Sequence, residues 1–106
     1  MIAGSVRLTA VTSGISAVVA ASADVFLVRA GRVVTLPLPQ DLVGHRLELA
    51  VGEVAELPAY GSLSACAPGA GALPPGGYDV YARVVLNPDS GPAVEVLGGP
   101  WPISLR

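Results

Sequence analysis

The stretch that most restricts how this chain can fold runs from Pro74 to Leu86. Pro74-Pro75-Gly76-Gly77 is a turn signal, and the residues after it alternate. Tyr78, Val80, Ala82, Val84 and Leu86 share one face, while Asp79, Tyr81, Arg83 and Val85 share the other. A period of two marks a strand with one face in a core.

The same period recurs on both sides of this strand. Ser5 to Thr12 alternates with Val6, Leu8 and Ala10 on one face. Ile15 to Ala20 is a short apolar run, expected as a more fully buried strand. Asp24–Arg29 and Arg32–Leu36 read as a hairpin closed by Ala30-Gly31, with glycine free to take positive φ. Pro37 and Pro39 bar a central strand there, so residues 37–41 are expected as a crossing or an edge. His45 to Val51 alternates again, with Leu47, Leu49 and Val51 inward, and Gly52-Glu53 turns the chain. Val54 to Leu57 is a short strand ending at Pro58. Residues 58–77 are rich in proline and glycine, and Tyr60 to Ala65 is expected to pack as a short edge strand, because long structureless loops are uncommon in compact domains. Asn87 to Gly91 has turn chemistry. Ala93 to Leu97 returns as a hairpin partner with Val94 and Val96 inward. Gly98-Gly99-Pro100 interrupts it as a bulge or bend, and Trp101, Ile103 and Leu105 then resume the inward face.

Turn signals every eight to twelve residues between short strands predict an all-β sandwich. A length of 106 residues makes one domain over 1–106, able to bury roughly 65% of its unfolded surface. No run approaches the ~20 apolar residues of a transmembrane helix. Ile15 to Ala21 with Ala21-Ser22-Ala23 has the outline of a signal peptide, but Thr12, Ser13, Gly14 and Ser16 break it, so folded strand is expected.

The stretch Leu73-Pro74-Pro75-Gly76-Gly77-Tyr78-Asp79-Val80-Tyr81-Ala82 resembles the L-x-P-G-x-Y-x-V-x-A approach to the penultimate strand of bacterial immunoglobulin-like sandwich domains. Gly99-Pro100-Trp101-Pro102-Ile103-Ser104-Leu105 resembles their broken last strand. The resemblance covers residues 73–105. It implies an immunoglobulin-like antiparallel β-sandwich of about seven to nine strands, with Tyr78 as the corner tyrosine whose hydroxyl bonds back to the preceding loop. It also implies an accessory or interaction module of secreted and envelope proteins of high-GC Gram-positive bacteria. A similar motif occurs in the BsuPI-type proteinase inhibitors. The chain departs from antibody-type domains in having no cysteine pair, and its Trp101 sits on the last strand.

Chemistry is scarce. His45 is the single histidine, and no G-x-S-x-G turn accompanies it. Asn87, Asp89 and Gly91 have a faint calcium-loop spacing, but Gly98 stands where a bidentate glutamate belongs. One cysteine and one histidine make no zinc pattern. Six arginines against eight carboxylates give a net charge of −2, with no basic stripe for nucleic acid. The expectation is therefore no enzyme, no cofactor, no metal and no nucleic acid.

What remains is binding. The hydrophobic fraction is 52% and the charged fraction 13%, against a usual charged share of about 25%. Either apolar patches meet a partner, or many alanines and glycines make the chain look greasier than it is. Tyr81 and Val85 face away from the core strand's buried side, and with Tyr60 and Cys66 they are the candidate partner-binding residues. Cys66 has no intrachain partner and is either a passive thiol or an intermolecular bridge. The expected function is a non-enzymatic extracellular or cell-envelope interaction domain with a protein partner. The alternatives are a self-associating structural subunit (filament, capsid decoration or surface layer) and a proteinase inhibitor presenting residues 58–77.

Overall fold

The computed structural model describes residues 2–38, 44–65 and 71–106. These residues are all-β: β1 (Ile2–Thr9), β2 (Ile15–Val19), β3 (Ala23–Arg29), β4 (Arg32–Val33), β5 (His45–Leu49), β6 (Val54–Gly61), β7 (Gly76–Pro88) and β8 (Val94–Leu105). They join in one hydrogen-bonded network of order β1-β6-β3-β7-β2-β5, with β4 added to β3 and β8 to β7. The sheet is mixed and curls into a half-barrel. All pairs are antiparallel except β3 with β6, which run parallel at Ala23–Ala59 and Asp24–Tyr60.

β7 is the spine. Thirteen residues at about 3.3 Å each span roughly the whole 42 Å long axis of the molecule. Tyr78, Val80, Ala82, Val84 and Leu86 are all buried, as the alternation requires. β8 pairs with β7 along one side. Along the other side β3 pairs with residues 79–83, and β2 takes over at Asn87 and Pro88. Beyond the bend at 20–22, β3 succeeds β2 on the same flank of β7. That bend lets β2 turn its far side to β5 and β3 turn its far side to β6. Leu8, Ala17, Val19, Ala23, Val25, Leu27, Leu47 and Ala59 complete the buried cluster.

Several elements differ from the sequence reading. β2 is not wholly buried: Ala17 and Val19 point in, whereas Val18 is exposed, because β2 has sheet neighbours on its edges and a core on one face only. β4 stops after two residues. Beyond it the ladder continues through a side chain. Val34 N–H donates to the Leu27 carbonyl at 2.8 Å, and the fully buried Thr35 Oγ1 accepts the Leu27 N–H at 3.0 Å. Leu36 is left outside. Both Ala30 (φ 53°) and Gly31 (φ 76°) are left-handed, the primed-turn geometry that matches strand twist. Val51 lies in the exposed turn rather than in β5.

Pro58 does not end its strand. β6 runs on to Gly61, because its ladder with β1 is continuous and β3 meets its other flank only from Ala59 onward. Tyr60 is therefore a strand residue. Beyond it, Ser64 bridges Ala72, and the Leu73 N–H donates to the Leu63 carbonyl at 2.9 Å. Pro37 of the expected crossing bridges Gly61; residues 39–41 lie outside the described residues.

The break in β8 is a bulge. Val80 faces Trp101 and Ala82 faces Gly98, so Gly99 and Pro100 together oppose Tyr81. The extra residue reverses the alternation and keeps Val96 and Trp101 on one face. That face is the inner one, but Trp101 was expected in the core and is 46% exposed. Val94 is likewise inward and half exposed. The reason is that the half-barrel does not close over them.

Tyr78 closes a corner at the start of β7. Its hydroxyl donates to the Pro74 carbonyl at 2.6 Å and accepts from Arg29 Nη1 at 3.1 Å. The guanidinium lies over the ring, 5.0 Å from its centre. Gly76 is the only residue type that fits beside it, since a Cβ there would stand 2.7 Å from Arg29 Nη2 at a φ of 136°. Tyr78→Phe is expected to cost about 1 kcal/mol, read as a lower denaturant midpoint with unchanged slope. Thr35→Val, isosteric but without an acceptor for the Leu27 N–H, is expected to cost about 1–3 kcal/mol by the same measurement.

Candidate functional site

The outer face of the sheet gathers three of the four candidate binding residues. β6, β3, β7 and β8 lie side by side, and their register aligns Tyr60, Asp24, Arg83 and Leu97 in one row across four strands. The neighbouring positions on the same face are Phe26 beside Tyr81, and Val85 beside Glu95. Tyr60, Val85 and Leu97 are exposed, and Tyr81 is partly covered. Cys66 lies outside the described residues.

An ion cluster sits at the middle of this face. Arg83 Nη2 donates to Asp24 Oδ2 at 3.0 Å, and Nη1 stands 3.9 Å from Glu95 Oε2. The guanidinium also lies over Phe26, 5.0 Å from the ring centre. Stacked there, its Nε is buried without a hydrogen-bond acceptor. Arg83 is thereby pinned flat, a cation–π contact beneath and two carboxylates at its sides. Apolar Leu97 and Val85 and the two tyrosines surround it. Aromatic and arginine side chains held rigid in this way lose little entropy when a partner covers them. Leu97 and Phe26 were not singled out by sequence. The signal for Phe26 was its place in a run that is apolar on both faces; that for Leu97 was the alternation of residues 94–97, in which Val94 and Val96 inward leave Glu95 and Leu97 outward.

A second feature lies inside the curl. An apolar cleft of about 370 Å³ runs between β1 and β8. Val6 and Leu8 form one wall, Val96 and Trp101 the other, and Ala82 and Val84 the floor.

The remaining polar cluster is on the far side, around β2 and β5. Arg46 holds Asp89 through both guanidinium nitrogens and donates to Ser16 Oγ at 2.8 Å, while Ser16 Oγ donates to Asp89 Oδ2 at 3.0 Å. Glu48 flanks Arg46 at 3.3 Å. This ties β2, β5 and the β7–β8 turn together, and the Asn87-Asp89-Gly91 turn is thus a structural corner. The chemistry is that of a clamp: Asp89 is occupied by its partners. Among the described residues no group of three or more histidines, cysteines and carboxylates is placed to hold a metal ion. No helix of the structure is long and apolar enough to cross a membrane.

The clamp titrates. The hydrogen bond from Arg46, then that from Ser16, holds the Asp89 carboxyl at about 2 against an ordinary 3.8. A depressed carboxyl contributes stability that is full above its unfolded value and lost as pH falls toward the folded one. Stability is therefore expected to decline between about pH 4 and pH 2 through this group, and Asp89→Asn should flatten that part of the profile in denaturant titrations at each pH.

No family model, curated protein or solved structure matches the chain.

Proposed function

We propose that this chain is a non-enzymatic interaction domain that docks a protein partner on its outer sheet face. The observation that carries this reading is the cross-strand row Tyr60, Asp24, Arg83 and Leu97, with Tyr81 and Val85 beside it. A rigid arginine ringed by aromatic and aliphatic side chains has the composition of an interface centre.

The finer fold reading belongs with this proposal. β2 with β5 are taken as the second layer of an immunoglobulin-like sandwich, opposed to β3, β7 and β8. The Tyr78 corner and the broken last strand support it. An extracellular or cell-envelope setting follows from the same resemblance. A second reading, a self-assembling structural subunit, is favoured by one observation: β1 is an edge strand eight residues long with no proline.

Light scattering separates the two. The interaction domain is expected to run as a monomer with and without reductant, across the micromolar to millimolar range. A large oligomer that persists in reductant would sink it in favour of assembly.

A further inference from the structure

We infer that the seam between β1 and β8 is a binding site for an extended peptide segment of a partner, which adds as a strand to β1 and fills the cleft with its inward side chains. The argument begins with backbone groups. β1 pairs with β6 on one flank in unbroken register from Ile2 to Thr9 and has no neighbour on the other among the described residues. A regular edge presents a row of N–H and C=O groups that another strand satisfies in full.

The other edges are blunted. β4 has two residues. β5 carries Arg46 and Glu48. β8 has Pro100 and Pro102, which remove donors, and the bulge at Gly99. β1 is eight residues long, with neither proline nor bulge. Its single charge, Arg7, faces outward to Glu56 at 3.8 Å, with both side chains largely exposed.

The cleft beside β1 gives the segment its sequence. It is walled by Val6, Leu8, Val96 and Trp101, so alternate residues of the segment are apolar. Its volume of about 370 Å³ is room for a few such side chains rather than for a folded element. The intervening residues face water, and the one beside Arg7 is best acidic, since opposite charges on neighbouring strands attract. The occupant is thus an extended, proline-free segment alternating aliphatic and polar residues, with a carboxylate on its polar face. Bound there, it would carry the sheet from β1 toward β8 and cover the half-exposed Trp101.

Trp101 is the only tryptophan in the chain, so it reports occupancy directly. The probe is an N-acetylated seven-residue peptide alternating valine and threonine, with aspartate at its central polar position. Its titration is expected to shift Trp101 emission to the blue, saturably, and to slow amide exchange within Ile2–Thr9. The same peptide with N-methylated amides along its pairing edge is expected not to bind. Val96→Asp should weaken binding about tenfold or more, the worth of one buried aliphatic contact. Tyr81→Ser, on the outer face, should leave it unchanged, which keeps this test separate from that of the outer face. Two results would overturn the inference. One is no emission shift and no added protection at millimolar peptide. The other is a blue shift and β1 protection that grow with the protein's own concentration, which would give the seam to a second copy of the chain.

Discussion

Everything in this fold depends on one strand having enough length to be shared. β7 is thirteen residues long, the longest of the eight strands. It offers one flank to β8 throughout and divides the other between β3 and β2. The inner side chains Tyr78, Val80, Ala82, Val84 and Leu86 form the floor on which the remaining strands settle. Were β7 to stop at Leu86, β2 and β5 would lose their hydrogen-bonded link to the rest of the sheet. Cross-strand pairs and burial act on the same residues, so the spine is fixed by two independent physical terms.

The two ends of β7 are secured differently. At the start, the Pro74 carbonyl, Tyr78 and Arg29 form a partly buried corner of hydrogen bond and stacked cation. At the far end, Arg46, Ser16 and Asp89 form an exposed clamp. The clamp is open to salt and to acid, because its Asp89 carboxyl is exposed and held low by Arg46 and Ser16.

Much of this was legible in the sequence because strand periodicity is local. The buried face of β7, the hairpin around Gly31 and the interruption at Gly98-Gly99-Pro100 all follow from residues within a few positions of one another. What was not legible came from partners distant in sequence. Pro58 inside β6 is tolerated only because of where β3 happens to begin. The exposure of Trp101 depends on whether β1 and β8 meet, and alternation along β8 carries no word of that. The outer-face row is similar: Tyr81 and Val85 were visible as outward residues and Tyr60 as part of an expected edge strand, but their alignment with Asp24, Arg83 and Leu97 is set by register among four strands. The parallel pairing of β3 with β6 had no local signal at all.

More than a third of the core is alanine: Ala10, Ala17, Ala23, Ala59 and Ala82 make up five of the fourteen buried hydrophobic positions among the described residues. At these sites the apolar residue serves close approach of backbones rather than buried volume. Each such position is insensitive to loss, since an alanine has little to lose. It is intolerant of gain, since a larger side chain at any of these sites must push a strand aside. Sequence drift in this protein should then run one way: inner positions frozen at small residues, with freedom confined to the half-covered wall of β8, where added bulk meets open space instead of a neighbour.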